Sequence, residues 1–228
     1  MVYLMVEQQF AKYPWCQRAI RGIFEEVRKR RIHVQEVSEL PGGAEERSCV
    51  LLVGASEEWI NQTARGAGSL GLHPIVLSNR ETNSSGLSVS SVKMDIHSSM
   101  ELAVDYLRTL DRERLALFGV NPSASSDLWR ARRFGELTGR EGDVFFLGSS
   151  VNENFDQFYE KIHRYDGVIC ASDYAAVSLV GRLREKNYAI PEKLYVVGYG
   201  DMFLSRLYRP SITSISDDYE SFGKAALA

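Results

Sequence analysis

The chain has 228 residues, enough to bury one large core or two smaller ones. It is 44% apolar, 25% charged and 11% aromatic, and 27 Lys and Arg against 30 Asp and Glu leave a net charge of -3, which excludes a broadly basic nucleic-acid-binding surface. No apolar run approaches the roughly 20 residues that cross a bilayer, and "MVYLMVEQQF" lacks the features of a signal peptide. Cys16, Cys49 and Cys170 are an odd number at wide spacing, each in or beside an apolar run, and read as reduced core residues of a cytoplasmic protein.

Short apolar runs alternate with helical patterns along the whole chain, as βα units around parallel sheets do. Strands are predicted at residues 2–6, 33–37, 49–53, 73–77, 89–94, 115–120, 143–147, 167–171 and 194–199. Nine are too many for one small sheet, so the expected class is α/β with doubly wound parallel sheets. Pro14 opens a helix that places Ile20, Ile23, Phe24 and Val27 on one face, and "SSME" at 98–101 reads as a capping box for a helix with Ala103, Leu107 and Leu110 inward. Ser172 is expected to cap another, with Ala176, Val180 and Leu183 on its buried stripe. Pro41, Gly42 and Gly43 forbid a long helix after the second strand, and residues 79–88 read as the most turn-like loop.

Ligands of open parallel sheets bind beyond the carboxyl ends of the strands. Polar planar groups and rings recur there: Gln8, Gln9, Phe10, Tyr13 and Trp15 after the first strand, Ser56 after the third, Asn79 and Arg80 after the fourth, and Asp95 at the end of the fifth. Asn121, Ser123, Ser126 and Arg130 follow the sixth, Ser149 the seventh, Ser172, Asp173 and Tyr174 the eighth, and Tyr199, Gly200 and Asp201 close the last. Such a mixture suits a small polar ligand, with rings for its apolar faces and paired hydrogen bonds for its polar groups.

The motifs for other chemistry fail on context. "GAGSLG" at 66–71 follows a helix and precedes a strand, the reverse of a dinucleotide fingerprint, and reads as a helix stop. "SSVK" at 90–93 lies in a strand, where an acylating serine needs a helix start. His33, His73, His97 and His163 are dispersed, so no metal or other cofactor is expected, and no nucleophile with a nearby base can be named. "RKRR" at 28–31 ends a helix, where cations complement the macrodipole.

Residues 166–226 resemble the effector-binding core of the lactose-repressor/galactose-repressor (LacI/GalR) transcription factors. The likeness rests on "SDYAA", "AIPEKLYVVGYGD", "RPSITSI" and "DDYESFG", in the family's order and spacing. Upstream, "VKMDIHSSMELAVDYLRTLDRERLALFG" is similar to that family's turn, crossover helix and entry to the next strand, and residues 1–37 carry a weaker likeness.

The resemblance implies a periplasmic-binding-protein type I fold: two lobes joined by three crossovers, about residues 1–110 plus 213–228 and 111–212, with ligand held between them. It places Asp95, Arg130, Asp173 and Asp201 at or next to that ligand, Arg130 where the family's effector-gripping arginine sits. Tyr199 has two readings, a stacking platform or a core ring. Ser172, Gly200 and Ile96 replace polar residues of the family pattern, a departure from a standard sugar site. The implied role is sensing a sugar-like effector in a homodimeric transcription regulator, with no enzyme activity and no membrane contact. Met1 runs almost directly into strand one, so the chain is expected to be an excised regulatory domain that meets operator DNA only through a helix-turn-helix outside it. A transport-type solute-binding protein and a degenerate, non-binding dimerisation domain are the alternatives.

Overall fold

The computed structural model describes residues 1–42, 48–78, 88–148 and 151–228. Its packing forms two compact units, Met1–Met94 with Asp218–Ala228, and Asp95–Asp217. The first contains strands β1 (Val2–Val6), β2 (Val34–Glu36), β3 (Cys49–Val53), β4 (His73–Leu77) and β5 (Ser90–Val92), all parallel, in the order β2-β1-β3-β4-β5. Helices α1 (Pro14–Arg30) and α2 (Glu57–Ser69) connect them, and α8 (Tyr219–Ala225) returns to the same unit.

Both faces of this sheet are covered, which is why β3 is an unbroken apolar run. Leu4, Leu51, Val53 and Leu77 point to the side of α1 and α8, where they meet Cys16, Ala19, Ile23 and Phe222. Tyr3, Val50, Leu52 and Val76 point to the side of α2, against Ile60, Ala64 and Ala67. Alternate residues of one strand therefore serve two cores, the two-residue period of a strand. Pro14 takes the first position of α1, where its missing N–H costs nothing, and Arg28, Lys29 and Arg30 occupy the last turn beside the free carbonyls.

The second unit repeats the plan. Strands β6 (Leu115–Val120), β7 (Val144–Phe146), β8 (Gly167–Cys170), β9 (Tyr195–Tyr199) and β10 (Thr213–Ile215) lie in the order β7-β6-β8-β9-β10, again parallel. Helices α3 (Ile96–Thr109) and α4 (Ser125–Thr138) cover one face through Met100, Val104, Leu107 and Phe134. Helices α5 (Val151–Lys161) and α6 (Asp173–Glu185) cover the other through Phe155, Phe158, Ala176 and Leu179, and the short α7 (Phe203–Leu207) joins β9 to β10.

All nine sequence-read strands are present, and β10 is a tenth: three residues behind Pro210, too short for its alternation to register. The division of the chain differs from the expected one in two places. Residues 95–110 were assigned with the first unit, but Met100, Ala103, Val104 and Leu107 are fully buried against Leu115, Leu117 and Ile169 of the second sheet. Residues 213–217 likewise belong to the second unit, because Thr213 to Ile215 pair in parallel with Val197 to Tyr199. The chain passes between the units twice, between 94 and 95 and between 217 and 218.

Helix α3 begins at Ile96, so the capping box at Ser98 is displaced: Asp95 caps the helix, its Oδ1 accepting the Ser98 N–H at 3.0 Å. Leu110, expected inward, lies past the helix end and is 37% exposed. Ser172 caps α6 as read, its side chain accepting from the Ala175 N–H. The connection between β2 and β3 has no helix among its described residues, and the 79–87 stretch of the turn-like loop lies outside them.

Helices α1 and α8 cross at a pair of glycines. A Cβ at Gly22 would stand 2.0 Å from the Glu220 carbonyl oxygen, and one at Gly223 would stand 2.0 Å from the Ala19 carbonyl oxygen. Gly22→Ala is expected to force the helices apart at a cost of about 1–3 kcal/mol, lowering the thermal midpoint by roughly 2–10 °C in a circular-dichroism melt. Gly42→Ala, where an added Cβ meets nothing within 4 Å, is the control and should melt unchanged.

Candidate functional site

In a sheet of order 2-1-3-4-5 the connections leave the first and third strands in opposite directions, and the crevice between their carboxyl ends is where ligands of this architecture sit. In the first unit that crevice lies between β1 and β3, and Glu7 fills it. This carboxylate is only 3% exposed. Its Oε2 accepts the N–H groups of Ala55 at 2.9 Å and Ser56 at 3.0 Å, and its Oε1 accepts the Ser56 hydroxyl and the Gln9 amide. Ser56, read as a ligand contact, thus holds Glu7 at the start of α2.

Burial alone would push the Glu7 carboxyl up; the bonds from Ser56, Gln9 and Ala55 outweigh it and hold the group below the usual carboxylate range. Beside it, the Phe10 ring lies 5.5 Å from Tyr13 and 6.0 Å from Trp15, and Trp15 lies 6.2 Å from Tyr219 of α8. Tyr13 is 52% exposed, so this aromatic cluster keeps an open face.

In the second unit the corresponding crevice lies between β6 and β8. Asn121 follows β6; its side-chain oxygen accepts the Ser123 N–H at 2.9 Å, and its own N–H donates to Asp127 Oδ2 at 3.0 Å. Arg130, one turn along α4, is 8% exposed and held on three sides. Its Nη1 donates to Asp127 Oδ1 at 2.9 Å, its Nη2 donates to Asp217 Oδ2 at 3.1 Å, and its guanidinium lies 4.1 Å from the centre of the Tyr199 ring. Of the two readings of Tyr199, the core ring is the one observed: the side chain is 2% exposed, packs in the face shared by α3 and α4, and donates its hydroxyl to Ser99. Burial raises its phenol above the ordinary value.

Asp173, expected against a ligand, is fully buried and bonded within the protein. Its Oδ2 accepts the Met202 N–H at 2.6 Å and its Oδ1 accepts the Ser214 hydroxyl at 2.6 Å, which ties α6 to the ends of β9 and β10. Asp201, at the corner where Gly200 takes a φ of 111°, is forked by Arg206 of α7 through Nε at 2.9 Å and through Nη2. That positive φ accounts for the glycine at 200, since a side chain there is strained. Asp95 serves as the α3 cap described above. Asn79, Arg80 and Ser149 lie outside the described residues.

Arg130, Tyr199, Asp173 and Asp201 are thus brought to one edge of the second sheet, Phe10, Tyr13, Trp15 and Ser56 to the same edge of the first. Sequence reading missed Glu7, Asp127, Asp217 and Ser214. Asp127 was within reach of it, three residues before Arg130 on one helix face; Asp217, 87 residues from its partner, left no local signal.

A depression of about 570 Å³ opens at the opposite, amino end of the second sheet, lined by Thr138, Gly139, Arg140, Gly142, Asp143 and Arg164, and holds none of the expected site residues. Among the described residues no group of three or more His, Cys, Asp or Glu could hold a metal ion. Burial pushes the Cys16 thiol up to about 11 and raises that of Cys170 as well, as expected of inert core thiols. No described helix is long and apolar enough to cross a membrane.

Two doubly wound parallel units with polar and aromatic residues at their carboxyl edges define an α/β protein of the open parallel-sheet class. The chain belongs to the periplasmic binding protein-like domain family, whose pattern matches residues 104–228. The HTH-type transcriptional regulator RegA of Clostridium saccharobutylicum is 33% identical to it over 90 residues, which are 40% of this chain and 24% of that protein. The matched stretch therefore spans about a quarter of the relative's length. A LacI transcriptional regulator from a Rhodococcus species shares the fold, with a TM-score of 0.73 and 21% identity over 100% of this chain and 88% of that one. So does the LacI-family regulator CCPA of Weissella paramesenteroides with bound glucose, with a TM-score of 0.69 and 16% identity over 100% and 90%. The resemblance to LacI/GalR effector-binding domains is borne out.

Two outcomes follow from the edge geometry. Asp173→Ala strips the Met202 N–H and the Ser214 hydroxyl of a buried acceptor, and urea titration of the ligand-free protein should show a loss of about 2–4 kcal/mol; unchanged stability would mean the carboxylate serves only a ligand. Because the Glu7 carboxyl is held low in the folded state, its contribution is complete above about pH 4.5 and is lost as pH falls through the folded value. Glu7→Gln should therefore flatten the acid limb of the stability profile measured between pH 3 and pH 6.

Proposed function

We propose that this chain is the effector-sensing domain of a LacI-type transcription regulator, binding a small polar, sugar-like molecule at the carboxyl edges of its sheets. The observation that carries the reading is the doubled β2-β1-β3-β4-β5 order with site residues at both switch points. Family membership, the regulator among its relatives and the glucose bound to a protein of the same fold support it. Ligand and operator would be linked in the full-length protein: an effector that favours one conformation changes DNA affinity by the ratio of its affinities for the two states. The relatives' regulatory role also supports a binding function over a catalytic one, action in the cytoplasm, and a homodimer that pairs two DNA-binding segments.

One observation favours a second reading. Asp95, Arg130, Asp173 and Asp201, the groups carried over from the family, all have protein partners. A domain that needs no ligand and serves dimerisation alone would look this way.

Thermal melting against neutral sugars, amino sugars, sugar acids, sugar phosphates, nucleosides and purines separates the two. An effector at about 100 times its dissociation constant should add about 2.7 kcal/mol of stability. A flat panel would favour the dimerisation reading. Sedimentation at increasing concentration should show a dimer, and a monomer throughout would remove the pairing role from these residues.

A further inference from the structure

We infer that Asp127 and Asp217 set the charge class of the effector: by holding Arg130 from both sides they suit this edge to a neutral or amine-bearing sugar and reject a phosphate or carboxylate one. The inference rests on the effector-sensing reading above. A guanidinium offers a planar fork that matches an anionic ligand's paired oxygens. Here one arm of the fork bonds Asp127 at 2.9 Å, the other bonds Asp217 at 3.1 Å, and the face is stacked on Tyr199 at 4.1 Å. The Arg130, Asp127 and Asp217 side chains are 9%, 14% and 9% exposed. An anionic ligand reaching for Arg130 would lie against the Asp127 and Asp217 carboxylates, like charges in a place poorly screened by water.

The rest of the edge reinforces this. Asp173 is fully buried and its two bonds come from uncharged donors, an N–H and a hydroxyl. Asp201 is matched by Arg206. Four described carboxylates at the carboxyl ends of β6, β8, β9 and β10 thus face two guanidiniums. Hydrogen bonds satisfy the oxygens without cancelling their charge, and the amino ends of α4 and α6 offset only about half a charge each. Tyr174, early in α6, is 61% exposed and offers a ring face that takes sugar C–H groups or an ammonium.

The test uses matched sets: glucose, glucosamine, gluconate and glucose 6-phosphate, with the galactose and ribose counterparts, followed by thermal shift and then titration calorimetry. In the set that binds, the neutral or amine member should bind at least about tenfold more tightly than the anionic members. Asp217→Asn, which keeps the shape and removes the charge, should narrow that gap by about tenfold, and Asp127→Asn is the second variant if the first does not fold. An anionic member binding as tightly as its neutral partner would overturn the inference while leaving the sensing reading standing. So would folded variants with an unchanged charge preference. No response to any set, in the parent or the variants, would overturn the sensing reading and this inference together.

Discussion

A parallel ladder forces the chain, after every strand, to travel back to the starting edge before pairing again, so each strand ends at one edge and each crossover helix begins there. Everything specific about this protein depends on that constraint. In both units it gathers the residues that follow each strand, otherwise scattered along the sequence, into one row. Because a doubly wound sheet must be covered on both faces, the strands have to be apolar on both sides, and the polar chemistry is confined to the ends. Glu7, Asn121, Asp173 and Asp201 all lie immediately beyond or within three residues of a strand's last residue.

The two edges meet the same difficulty in different ways. Each collects charged groups where water is partly excluded, and an unsatisfied charge there is costly. In the first unit a single carboxylate, Glu7, receives bonds from two backbone N–H groups and two side chains. In the second a network serves: Arg130 between Asp127 and Asp217, Asp173 between Met202 and Ser214, Asp201 with Arg206. The network crosses from α4 to Asp217, two residues past β10, and from α6 to the β9 corner, so its polar groups also fasten the second sheet's helices to its strand ends. Any effector bound at that edge meets groups whose positions are already fixed, the preorganisation that favours selective recognition.

Much of the architecture was legible because it depends on composition and period. Runs such as those at 49–53 and 115–120 are strands in any context that covers both their faces, and Pro14 and Ser172 mark helix starts by local chemistry alone. The order of motifs in residues 166–226 was enough to indicate the family. Where the reading failed, a non-local contact decided the outcome. Residues 95–110 and 213–217 went to the second unit because of what their apolar and backbone groups meet there, and neither segment carries that information in its own pattern.

The site divides along the same line. Which residues stand at the strand ends follows from the sequence, since the βα alternation assigns every loop to one edge or the other. Whether a residue there faces a ligand or a neighbour does not. Asp173, Arg130 and Asp201 look alike as polar residues after strands, yet each is held by a partner lying 5 to 87 positions away. Tertiary structure alone made those pairings, because the strength of a charged contact depends on separation in space and on exclusion of water, and neither is a property of neighbouring positions in the chain.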